Sequence, residues 1–95
     1  MLPKITGVNV GRKCFQRDLK KLPPDIRAEA IRRIADLVGQ RVPKSLRFHR
    51  LHGYCPNVYC IDVWPKKAYK ASFNIEDGIA VMRRVGRHRL IDRDP

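Results

Sequence analysis

Arg83-Arg84-Val85-Gly86-Arg87-His88-Arg89 brings four guanidinium groups and one imidazole together within seven consecutive positions. Guanidinium presents planar, paired donors that match the oxygens of phosphate and carboxylate. Imidazole titrates near neutrality and can give or take a proton. Those two capacities suit binding of a polyanion and proton transfer. The apolar alternation Ile79-Ala80-Val81-Met82 runs into the cluster, and Gly86 frees the backbone within it. A strand delivering a basic cluster to a sheet edge or end is the expectation. The plainer alternative is a solvated basic rim, since charge runs usually lie at the surface.

The whole chain leans the same way. Twenty-one basic residues against nine acidic ones give +12, and thirteen of the basic residues are arginine. Such self-repulsion calls for a polyanionic partner: RNA, DNA, an acidic protein segment or an anionic membrane. No basic amphipathic helix stands apart from the apolar pattern, which places the membrane last. Ninety-five residues support a single domain over 1–95. Neither a membrane-length apolar run nor a signal-peptide pattern is present, so the expected location is the cytoplasm. Three cysteines do not make a disulfide framework. His49-x-x-His52-x-x-Cys55-x4-Cys60 resembles a metal-ligand spacing, but Cys60 falls inside a strand pattern and no Cys-x-x-Cys pair occurs. No metal site is expected.

Several elements must position these groups. Residues 4–10 alternate weakly as a first strand, with Gly7 suggesting a bulge. Phe15, Leu19 and Leu22 recur at helical spacing over 12–22, and Pro23-Pro24 ends that helix. A second helix carries Ile26, Ala30, Ile34 and Leu37-Val38 on its apolar stripe, widened by Ile31, and Gly39 stops it. After a loop broken by Pro43, Phe48 and Leu51 anchor a short extended piece. Three strands follow over 58–64, 68–75 and 79–85, the last two joined by the hairpin signal Glu76-Asp77-Gly78. Val81 and Val85 are placed on one side of the last strand and Arg84 on the other. The expected fold is α+β, ordered β-α-α-β-β-β. A helical hairpin packs on one face of a small, mainly antiparallel twisted sheet. The opposite face, with Asp62, Lys70, Ser72 and Arg84, is expected to stay open and basic and to take the ligand.

The order and spacing of these elements resemble the RelE/ParE superfamily of bacterial toxins. The resemblance is carried by Phe15-Gln-Arg-Asp-Leu-Lys-Lys-Leu-Pro23, Ser45-Leu-Arg-Phe-His-Arg-Leu-His-Gly53, Val58-Tyr-Cys-Ile-Asp-Val63, Tyr69-Lys-Ala-Ser-Phe73 and Arg84-Val-Gly-Arg-His88. It implies the toxin of a type II toxin–antitoxin pair, with a cognate antitoxin whose acidic or amphipathic segment covers the basic face. It implies a ribosome-dependent endoribonuclease acting on messenger RNA without a cofactor. The alternatives are a ParE-like, non-catalytic inhibitor of DNA gyrase and a degenerate member that only binds. By the resemblance, His88 transfers a proton, Arg84 steadies the scissile phosphate, His49 is a second histidine and Lys70 a strand cation. Arg83, Arg87, Arg89, Lys66, Lys67, Arg47 and Arg50 would contact RNA backbone, and Trp64 would stack on a base. The chain also departs from the family. Cys60 and Asp62 stand where RelE-like members carry lysines, Ala68-Tyr69 replaces an aspartate–tryptophan pair, and Asp92 falls where an aromatic is expected. Convergence of His49, His88 and Arg84 in space would separate the nuclease from a binder.

Overall fold

The computed structural model describes residues 2–39, 41–63 and 68–95. Its strands are β1 (Gly7–Asn9), β2 (His49–Leu51), β3 (Val58–Asp62), β4 (Tyr69–Glu76) and β5 (Ile79–Arg87), and its helices are α1 (Lys13–Lys21), α2 (Pro24–Ala35) and α3 (His88–Arg93). The five strands form one sheet in the order β1-β5-β4-β3-β2. β2 through β5 pair antiparallel, while β1 joins β5 in parallel. The expected α+β layout holds, with α3 added at its end.

Alternation along β3 and β4 sorts the side chains. Tyr59, Ile61, Ala71 and Phe73 turn to the face under α1 and α2, where they join Phe15, Leu22, Ala30, Ile34 and Leu37 in the core. Phe48 packs its ring 5.5 Å from Phe73 and 5.7 Å from Tyr59, so Tyr59 is a core aromatic and not a base platform. Leu51 pairs with Val58 and turns to the other face. The β4–β5 turn has Asp77 and Gly78 both at positive φ, the backbone that a two-residue hairpin requires.

Arg27 joins the two long helices. Its guanidinium donates to the carbonyls of Leu19, Lys20 and Leu22 at 3.0–3.1 Å, satisfying the last turn of α1 where the helix dipole is negative. α2 stops at Ala35, short of Gly39, as the amides of Leu37 and Val38 turn back to the carbonyls of Ile34 and Ala35. Leu37 still reaches the core, but Val38 and Ile31 are exposed; the expected apolar stripe is too wide by those two residues.

Two local expectations are corrected. Gly7 is not a bulge: it lies in register opposite Ile79, and a Cβ there would stand 3.0 Å from the Ile79 side chain. The bulge is at Arg83, because Ser72 faces Arg84 while Phe73 faces Met82. Beyond it Met82 and Ala80, not Val81, share the core face with Val85. Phe73 is fully buried on the central strand. Phe73→Ala is expected to cost about 3–5 kcal/mol in urea unfolding, from lost burial and the cavity left behind.

Candidate functional site

β1 ends at Asn9 opposite Val81, whereas β5 runs on to Arg87. α1 lies against β5 and supplies the missing partner through Asp18. One oxygen of this buried carboxylate accepts from Arg84 Nε at 2.9 Å and from the Val85 amide at 3.3 Å; the other accepts from Arg84 Nη2 at 3.1 Å. Arg84 Nη1 turns outward to Asp94 at 3.1 Å. The hydrogen bonds to Asp18, ahead of its charge and that of Asp94, hold the Arg84 guanidinium above its ordinary range, so it stays charged. Both its edges are fixed before any ligand arrives.

A groove of about 480 Å³ opens beside this pair, lined by Asp18, Lys21, Arg84, Gly86, Arg87 and Leu90. Arg87 lies over the Tyr69 ring, 5.3 Å from its centre, within cation–π range. His88 follows Arg87 as the first residue of α3 and is exposed, with its amide bonded to the Ala68 carbonyl. A charged, oriented guanidinium and an accessible imidazole thus lie four residues apart along one β5–α3 corner.

The face expected to stay open does not. α3 and the residues after it cover it, with Ile91 fully buried and Cys60, Asp62, Ser72 and Asn74 closed off from solvent. Lys70 on this face reaches Asp92 at 3.0 Å. The bulge turns Arg83 to the same face, where it donates to Asn74 at 2.9 Å and to the Pro95 carbonyl. Lys70 and Arg84 sit on adjacent strands, offset by two residues on one face, Lys70 opposite Gly86 and Ser72 opposite Arg84. These two cations come together.

His49 does not join them. Register places His49, Cys60, Ser72 and Arg84 in one row across four strands, which separates His49 from Arg84 by about 14 Å at ordinary strand spacing. Its Nδ1 bonds to the Arg47 carbonyl. His49 and Arg84 therefore do not meet on one point. Arg47, in a left-handed conformation, approaches Asp62 at 3.8 Å, so this aspartate holds an arginine. Arg50 and Arg89 are exposed, while Trp64, Lys66 and Lys67 lie outside the described residues. Among the described residues no three His, Cys, Asp or Glu side chains stand close enough to hold a metal. No described helix is long and apolar enough to cross a membrane.

Three acidic residues at this site escape a pattern reading. Asp18 lies three residues after Phe15 on the buried stripe of α1, and a lone carboxylate on an apolar stripe is the signal that points to a buried cation. Asp92 and Asp94 belong to a helix and its end too short for periodicity to reveal.

No known family profile matches the chain, and no curated protein matches it. Solved structures do. The chain is similar to a RelB–RelE antitoxin–toxin complex from Methanococcus jannaschii at 23% identity and a TM-score of 0.60, covering 96% of this chain and 100% of that one. It is also similar to a copper-bound mutant toxin from Helicobacter pylori at 17% identity and TM-score 0.56, covering 93% and 97%. A conserved hypothetical protein from the same organism matches at 16% and 0.55, covering 92% and 99%. At these identities the likeness establishes the fold: that of RelE-type toxins.

The two carboxylates on Arg84 should differ sharply in weight. Asp18→Asn is expected to cost about 2 kcal/mol in urea unfolding, below a fully buried pair because part of Arg84 meets solvent. Asp94, largely in water, should tolerate the same change with no shift in midpoint. Cys60 gives a second check. Burial pushes its thiol up to about 12, so it stays protonated at neutral pH. Its contribution to stability is present below the ordinary thiol range and is lost as pH rises towards 12. In native protein at about pH 8, just below the ordinary thiol range, iodoacetamide should label the exposed Cys14 and Cys55 and spare Cys60 until denaturant is added.

Proposed function

We propose that the chain is the toxin of a toxin–antitoxin pair and cleaves messenger RNA on the ribosome, in the cytoplasm. One observation carries this reading: Arg84 is locked by Asp18 beside a basic groove, with an accessible imidazole at the adjoining turn. A cation held in place needs little reorganisation when charge develops on phosphorus, the arrangement that electrostatic catalysis favours. In this reading Arg84 stabilises the phosphorane and Lys70 assists. His88 transfers the proton, either taking it from the 2′-hydroxyl or giving it to the 5′-oxygen. Arg83, Arg87 and Arg89 hold flanking phosphates. His49, three strands away, acts at no step on that phosphate and is left as an RNA contact with Arg47 and Arg50.

The fold supports an antitoxin partner, since the Methanococcus RelE is paired with RelB. A net charge of +12 favours an acidic segment in that role. The separation of His49 from Arg84 favours a second reading, a toxin that binds and blocks its target, gyrase included, without cutting RNA.

Induction in a bacterial host, followed by mapping of messenger 5′ ends, separates the two. Wild type should produce new ends within codons of translated messages. His88→Ala should lower cutting by about a hundredfold or more, the usual loss for a proton-transfer group. Its unfolding midpoint should stay unchanged because the side chain is exposed. Growth arrest with intact messages and lost supercoiling would assign the chain to gyrase inhibition instead.

A further inference from the structure

Beneath α3 the sheet presents polar groups where a covering helix ordinarily meets apolar ones. Asn74 is satisfied, donating to the Asn57 carbonyl at 2.7 Å and accepting from Arg83. Ser72 is not. Its hydroxyl is fully buried and, among the described residues, is a buried side-chain polar atom with no hydrogen-bond partner. An orphaned buried hydroxyl costs stability that alanine at the same place would avoid. It stands opposite Arg84 and two residues from Lys70 on the same face.

The cover itself is weakly held. α3 spans six residues, too few to persist alone, and has no side-chain cap at its start. Ile91, fully buried, seats it, with Leu90 half-buried against Gly86. Its hold on Lys70 and Arg84 is two carboxylates largely in solvent, Asp92 at 53% and Asp94 at 74% exposure. Ion pairs of that exposure contribute little. Lysine and arginine bind phosphate oxygens through the same donors that hold these carboxylates.

We propose that Lys70, Ser72 and Arg84 form a covered phosphodiester site in which Asp92 and Asp94 stand in for phosphate, and that RNA enters by displacing α3 beyond His88, whose amide stays bonded to the Ala68 carbonyl. The proposal rests on the RNA reading above and adds to it a third donor, the Ser72 hydroxyl, and an internal competitor. Strand pairing keeps the three donors in place whether or not the cover is seated. Only the helix beyond His88 has to move.

The test uses the full chain and a short, fully 2′-O-methylated single-stranded RNA that cannot be cleaved, with binding read by fluorescence anisotropy. The double variant Asp92→Asn, Asp94→Asn should bind about tenfold more tightly than wild type, since two exposed ion pairs no longer compete. Glu76→Gln with Asp77→Asn changes the net charge equally at the hairpin tip, more than a screening length away, and should stay within about twofold of wild type. Adding Ser72→Ala to the first double variant should weaken binding about fivefold while leaving its melting temperature unchanged or higher. Amide exchange should speed up at residues 89–93 on RNA binding while β4 stays protected. Equal affinity of the two double variants, no effect of Ser72→Ala, or slower exchange in α3 with RNA bound would each overturn the proposal. Binding as expected without translation-dependent cleavage in cells would leave the covered site standing and remove the nuclease reading. Cleavage in cells with none of the binding effects would do the reverse.

Discussion

The structure depends on how it closes one side of β5. A parallel partner three residues long covers the start of that strand and leaves the rest to be met by a helix. Helices have no free backbone groups along their sides, so a side chain must supply the acceptor. Asp18 does so, and burying its charge in turn requires a fixed cation. Arg84 is that cation. Helix placement, edge satisfaction and the orientation of the guanidinium are one arrangement, and none can be altered without disturbing the others.

A net charge of +12 suggests an excess of free cations, yet the acidic residues are spent where the arginines and lysines matter most. Asp18 and Asp94 hold Arg84, Asp92 holds Lys70, and Asp62 approaches Arg47. The pairs are unequal. The buried one orients a side chain at the cost of desolvation, while the exposed ones lower the local potential and yield readily to a stronger anion. Global charge therefore describes long-range attraction, and local pairing decides which cations are ready to bind.

Much of the fold was legible because its signals are local. The stripe Phe15, Leu19, Leu22 marked α1, two prolines marked the turn, and Glu76-Asp77-Gly78 marked the hairpin. The resemblance in order and spacing led to the RelE-type fold, which the solved structures share. What stayed hidden depends on partners distant in sequence. The parallel pairing of β1 with β5 joins residues from opposite ends of the chain. α3 is shorter than two helical turns, and Arg87-His88-Arg89 reads as basic loop by composition. The sheet face that α3 covers could not be recognised as closed without it. At the site, the nearness of Lys70 to Arg84 followed from strand parity. The distance of His49 followed only from strand order, which no alternation pattern encodes.

The extra residue at position 83 acts as a phase shifter in the sheet. In an unbroken strand, consecutive side chains face opposite ways, so an arginine pair would send one member into the apolar layer. With the shift, Arg83 and Arg84 both emerge on the covered side while Met82 and Val85 keep their seats in the core. The ladder on either side of the shift is internally intact. An insertion at this point would thus be a route by which a strand doubles its charge density without any hydrophobic side chain changing sides. Removing that residue would force one half of the strand to turn over, exchanging its oily and ionic sides at a single stroke.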